Sequence, residues 1–392
     1  MRAGSLRNMR QKSDFPSFSK AEMAARHAKV RALMDSEGLD GLLVYGAGRF
    51  ASEIQWLTDW PGSREAFVLL PREGAPCVIL QLFNHVPMAR VLSVIEDVRW
   101  AGANSADTVI QAVQGAGLGG KRIGLVGGLP YRHYQAFQEN LSGAQFADVS
   151  GAFRMMRTVR SEEEIARLRI ASELTDKSIA ALATGLKIGM AESEIPALIE
   201  PVYLNEGGYA GIHFMSSMPM RDPDFPVPAQ YQSHRKLAKG DCLITEISGG
   251  YWGYTGQIHR TFSLGEGPTP EWQDMHAVAV EALEVMEALI KDGVTASEVE
   301  EAANIIHDRG YTILDDLLHG MSQYPPIIQT AKAKRHASRD VTFRAGMTIT
   351  IQPNVMTLDE RMGLQFGESF VVTKTGLDRF NHYPREWVVC PG

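Results

Sequence analysis

The sequence is short of cysteine, of long apolar runs and of positive charge, and each shortage removes a class of function. Only Cys77, Cys242 and Cys390 occur among 392 residues. They are far apart, odd in number and without CxxC spacing, which fits neither a disulfide framework nor a zinc knot; buried thiols in a reducing cytoplasm are expected. No stretch reaches the roughly 18–20 apolar residues that cross a bilayer, and the basic first twenty residues lack the apolar run of a signal peptide. The formal net charge is -7, so no basic surplus exists to neutralise phosphates, and neither nucleic acid nor membrane is an expected partner.

What is present is ordinary globular composition, 44% hydrophobic and 22% charged, in a chain long enough for two domains. Residues 1–17 read as a polar arm. Ser19 and Glu22 form a capping-box signature for a helix that Gly38 stops. Strands are expected at 42–45, 67–70, 77–82 and 123–126, with helices near 85–95 and from about 131, which together make a layered α/β domain. The glycines at 46–48 and 124–128 match neither GxGxxG nor GxxxxGKS/T and read as strand-to-helix turns.

The second half opens on Ser161 and Glu162–Glu164, a helix start. Leu186–Ile195 and Ile290–Val299 share a pattern: a long helix, a helix-ending glycine, then Ser-Glu opening the next helix. This predicts a duplicated unit whose halves face each other across a pseudo-twofold axis. Segments 242–248, 253–262, 347–355 and 369–373 are rich in β-formers, with hairpin connections expected at Gly249-Gly250 and Asp359–Arg361. Helices over one face of a curved antiparallel sheet follow.

Gly240-Asp241, Glu246, Gly253-Tyr254, Gln257 and Arg260-Thr261-Phe262 resemble the metallopeptidase family of methionine aminopeptidase, prolidase, aminopeptidase P and creatinase. The helix start at Arg160–Arg169, the pair His319-Gly320 and the run Phe343–Pro353 agree in order and spacing. The resemblance implies a creatinase-type α/β domain over 1–155 and a pita-bread α+β domain with internal repeat over 156–392. In words, the fold class is α/β, two-domain.

Members of that family that hold two metal ions use two Asp, one His and two Glu, because bridging carboxylates offset the repulsion of two dications. At those positions this chain has Glu246, Gln257, His319, Gln352 and Gly367. No metal and no cofactor is therefore expected, Glu368 serving more naturally as the acidic neighbour of the lost ligand than as its replacement. The imidazole that creatinase uses is also missing, its position being Ala229. The reading that follows is a metal-independent, creatinase-like hydrolase cleaving a C–N bond in a small polar molecule. Glu246 and His319 are its expected catalytic groups, and Gln257, Gln352, His259, Tyr254, Arg221, Tyr231 and His234 its candidate substrate contacts. The alternatives are a lyase on the same scaffold, a non-catalytic binding protein and a metal-dependent Xaa-Pro peptidase. A cytoplasmic homodimer acting on a small molecule is what the resemblance implies.

Overall fold

The computed structural model describes residues 11–50, 52–333 and 341–391. These fall into two compact units, with the division after Arg157.

The first unit holds β1 (Gly41–Gly46), β2 (Ala66–Pro71), β3 (Cys77–Leu80), β4 (Asp97–Trp100), β5 (Arg122–Val126) and β6 (Gln145–Asp148). They form one sheet in the order β4-β3-β2-β1-β5-β6. Only β2 runs antiparallel to its neighbours. Strand alternation supplies two apolar faces, and both are covered. Leu42, Val44, Val68 and Val78 enter one core cluster, while Leu43, Phe67, Leu69 and Ile79 enter another. The glycine run after β5 is a turn: at φ 99°, a Cβ on Gly127 would lie 2.2 Å from the Tyr45 carbonyl oxygen.

Two local expectations are corrected here. Residues 1–10 of the expected arm lie outside the described residues, but 11–18 are tied down. Lys12 pairs with Asp59 at 2.9 Å, and Phe18 is buried under the Arg26 guanidinium, 3.8 Å from its ring centroid. β3 stops at Leu80 rather than Leu82, because Phe83–His85 coil into a 3-10 turn.

The second unit begins with the helix Glu162–Gly185. Ser161 Oγ accepts the Glu164 N–H, and the Glu164 carboxylate accepts the Ser161 N–H, both at 3.2 Å. Its strands are β7 (Tyr209–Pro219), β8 (Asp241–Tyr251), β9 (Tyr254–Thr255), β10 (Ile258–Leu264), β11 (Thr312–Ile313), β12 (Leu318–Gly320), β13 (Tyr324–Ile328), β14 (Thr348–Ile351), β15 (Val355–Met356), β16 (Glu368–Val372), β17 (Leu377–Arg379) and β18 (Val388–Cys390). Instead of the single sheet expected, two five-stranded sheets form, β18-β10-β8-β7 with β9 on β8, and β13-β12-β14-β16-β17. A short β11–β15 pair lies beside them.

The duplication shows in the backbone. Long helices Glu162–Gly185 and Pro270–Leu289 lead to Gly189 (φ 87°) and Gly293 (φ 96°). Those glycines donate their N–H groups to Leu237 and Phe343 carbonyls at 2.7 and 3.0 Å. Glu194 and Glu298 then reach back to the N–H groups of Ala191 and Thr295 at 2.7 and 2.8 Å. Further on, Gly240 (φ 83°) and Gly346 (φ 91°) turn the chain toward β8 and β14. Glu246 and Gln352 each stand six residues beyond their glycine, so the repeat puts them at equivalent positions.

Gly249-Gly250 is not a hairpin turn. β8 runs through both residues, and the chain reverses at Trp252 (φ 43°) and Gly253 (φ 85°). The glycines serve packing instead: a Cβ on Gly250 would lie 2.3 Å from the Tyr209 ring. No described helix is long and apolar enough to cross a membrane.

Candidate functional site

Glu246 lies in β8 and is more than nine-tenths buried. Its cross-strand partner on β10 is His259, not Gln257. Gln257 shares the same face one diagonal step away and donates from Nε2 to Glu246 Oε1 at 2.8 Å. The same Nε2 stands 3.1 Å from His259 Nε2, while His259 Nδ1 faces Gln365 Oε1 at 3.1 Å. A buried chain thus runs from Gln365 through His259 and Gln257 to Glu246. Burial depresses the His259 pKa to about 3, so this ring is neutral: it donates from Nδ1 and accepts at Nε2. Burial, assisted by the negative charge of Asp315, raises the Glu246 pKa to about 8, against the weaker lowering effect of the Gln257 hydrogen bond.

From the other half of the repeat, His319 on β12 meets Gln352 just beyond β14. His319 Nε2 lies 3.1 Å from Gln352 Oε1, and His319 Nδ1 lies 2.9 Å from the Gly320 carbonyl oxygen. The amide orientation is fixed, because Gln352 Nε2 donates to the Asp316 carbonyl at 3.0 Å. Both ring nitrogens of His319 are therefore already aimed at protein oxygens.

These side chains border a cavity of about 290 Å³, lined by Glu246, Asp315, Asp316, His319 and Gln352 on its polar side. Phe214, Val227, Pro228 and Leu314 supply apolar wall, and Gln230 completes it. The proline-rich loop after Arg221 does border this space, through Val227, Pro228 and Gln230.

The other candidates lie elsewhere. Gln257 and His259 stand behind Glu246. The Tyr254 hydroxyl donates to Glu164 at 3.1 Å. Arg221 is exposed near Glu266, Tyr231 is 88% exposed, and His234 meets Ser193 at 3.3 Å on the surface. None of these three lines the cavity. Asp315 and Asp316 went unremarked in the sequence. The signal was there: two adjacent acids in Leu314–Leu318, four and three residues before His319.

Does the donor set suit the two ions of a dinuclear centre? Among the described residues no group of three or more His, Cys, Asp or Glu could hold a metal ion. Gln257 and Gln352 turn neutral amides toward Glu246 and His319, where two dications need anionic oxygens. Glu368 faces away and is fully buried against Arg260 and Arg379, each at 2.5 Å, and Arg385 at 2.8 Å. Gly367 is closed in: a Cβ there would lie 2.8 Å from the Ile351 carbonyl oxygen and 2.9 Å from Gln352 Cβ. The residues do not fit such a centre.

Residues 166–374 match the model of metallopeptidase family M24. The chain belongs to that family. Residues 26–159 match the creatinase/prolidase N-terminal domain. Among named relatives, the Xaa-Pro dipeptidase of Pyrococcus horikoshii is 24% identical over 364 residues, covering 92% of this chain and 97% of that protein. The Xaa-Pro dipeptidase of Pyrococcus furiosus is 24% identical over 268 residues, covering 67% of this chain and 74% of its own. Of solved structures, the Xaa-Pro dipeptidase from Bacillus anthracis superposes with a TM-score of 0.80 at 21% identity, covering 94% of this chain and 99% of that one. The prolidase from Pyrococcus horikoshii gives 0.79 at 22%, covering 93% and 100%. At such identities the structural likeness establishes the two-domain M24 fold.

The names of these relatives overturn the expected metal-independent, creatinase-like hydrolysis. M24 relatives aligned over 92% and 67% of the chain are named Xaa-Pro dipeptidases, which favours the peptidase alternative. What survives of the expectation is the hydrolase class.

Proposed function

We propose that this chain is a hydrolase of short peptides, of the Xaa-Pro class that its relatives' names carry, with the substrate held in the cavity beside Glu246. The alignment with the Pyrococcus horikoshii dipeptidase over 92% of the chain is the observation that carries this reading. The cavity supports it, being at the small end of ligand pockets and suited to a dipeptide rather than a longer peptide. In this reading Glu246, protonated at neutral pH, donates to a substrate carbonyl oxygen. Gln257 and His259 keep that carboxyl group in place, and His319 and Gln352 bound the opposite wall. A cytoplasmic homodimer remains part of the proposal, with light scattering as the check on assembly.

The test is proline release from glycyl-proline, alanyl-proline and leucyl-proline, followed by mass spectrometry with and without added manganese. Release by the wild type and its loss in Glu246→Ala are expected. No release from any dipeptide under either condition contradicts the reading.

A second reading, a peptide-binding protein without turnover, has one observation in its favour. Two amides and a glycine (Gln257, Gln352, Gly367) occupy three of the acidic positions that metal-holding members use. Saturable dipeptide binding without proline release would select it.

A further inference from the structure

The proline-rich segment that walls the cavity is held from outside it, by a carboxylate that does not line the space. Segment 218–232 joins the end of β7 to the approach to β8, and it supplies Val227, Pro228 and Gln230 to the wall. Its two flanking residues, Ser217 and Ser233, converge on the buried Glu192. Glu192 Oε1 accepts the Ser217 N–H at 2.7 Å and the Ser217 hydroxyl at 2.6 Å. Oε2 accepts the Ser233 N–H at 3.1 Å and the Ser233 hydroxyl. Arg235 donates to Ser217 Oγ at 2.8 Å, which leaves that hydroxyl's own proton for Glu192. The backbone fixes the clasp in turn: Glu192 and Ser193 donate their N–H groups to the Arg235 and Ser233 carbonyls, both at 3.0 Å. Burial raises the Glu192 pKa, the serine hydrogen bonds outweigh it, and the net shift is downward, so the group is a carboxylate at neutral pH.

The repeat separates this carboxylate from the turn that carries it. Glu192 stands three residues past Gly189, whereas three residues past Gly293 the other half has Ala296. The turn and its returning glutamate recur in that half without a clasp. The turn's own fold therefore does not require Glu192. We propose that Glu192 is a positioning residue: by tying both ends of segment 218–232 together it fixes the cavity wall, and it sets ligand affinity without taking part in the chemical step. A compact loop whose ends are held loses less freedom when a ligand packs against it. The inference rests on the reading that this cavity takes a short peptide.

Hydrogen exchange followed by mass spectrometry, together with dipeptide kinetics, tests it on the full chain. Glu192→Ala should speed exchange across 217–233 by on the order of tenfold to a hundredfold, the worth of a hydrogen bond to a charged group. Exchange in the helix Pro270–Leu289 should stay as in the wild type. The KM for alanyl-proline should rise by a similar factor while kcat stays within about twofold, the pattern of lost uniform binding. Glu192→Gln keeps the shape but turns an amide NH2 group toward one serine N–H, and should show both effects more weakly. It reads the same two quantities if the alanine variant does not fold. Unchanged exchange across 217–233, exchange raised equally throughout the second unit, or an unchanged KM overturns the inference and leaves the peptide reading standing. Exchange raised in that segment alone, with no dipeptide turned over by the wild type, supports the clasp and sinks the peptide reading.

Discussion

At position 246 a glutamate is buried at the edge of a cavity that Asp315 also lines, and its proton belongs to the folded state. The folded pKa of about 8 lies above the ordinary value of 4.5. The folded chain therefore holds a proton that the unfolded chain has lost between those values, and stability falls as pH rises through that window. The slope approaches about 1.4 kcal/mol per pH unit. Urea unfolding between pH 5 and 8 should show this decline in the wild type and a flatter profile in Glu246→Gln. Equal slopes would remove Glu246 as the cause. A second residue prediction concerns Glu368, fully buried among three arginines. Glu368→Gln leaves the buried Arg260 guanidinium without its carboxylate and should cost about 3–5 kcal/mol by urea unfolding, as broken buried pairs do. Gly367→Ala should be destabilising by about 1–3 kcal/mol, because the added methyl group meets the Ile351 carbonyl oxygen and the Gln352 Cα and Cβ. At this scale the sequence was a partial guide. Glu246, His319 and Gln352 were legible from their places in the family blocks. The isolation of Glu368 from the cavity followed from strand alternation. Asp315 was not legible, since two acids in a loop look like solvated surface until the cavity around them is known.

At the scale of elements, the repeated connections carry the site. Each glycine at positive φ, each carboxylate reaching back to a helix-start N–H, and each site residue six residues beyond the second glycine recur in both halves. Ser161 caps the helix that opens the unit, so Ser161→Ala should lower stability by about 1 kcal/mol in urea unfolding. An unchanged midpoint would show that the cap contributes nothing. The capping pattern and the repeat were readable because they are local: four residues decide a helix start. The Gly249-Gly250 turn was misread because the competing cause is not local. Tyr209 and Thr175 approach the strand there from elsewhere in the chain, and small residues make room for them. The diagonal placement of Gln257 escaped for a related reason, since register depends on where the turn falls.

For the whole molecule, two layered units and the M24 fold followed from the order of elements and the four family blocks. Activity did not follow in the same way. The ligand substitutions pointed to metal-free chemistry of the creatinase kind, whereas relatives aligned over 92% and 67% of the chain carry the names of Xaa-Pro dipeptidases. The central physical claim is narrower than either: the side chains around Glu246 and His319 lack the anionic oxygens that a pair of dications about 3.5–4 Å apart requires. Manganese titration of the purified protein, followed by electron paramagnetic resonance, tests that claim most directly. The account predicts that no spin-coupled pair forms at any manganese concentration below that which precipitates the protein. A coupled signal saturating at two ions per chain, lost in His319→Ala, would contradict it.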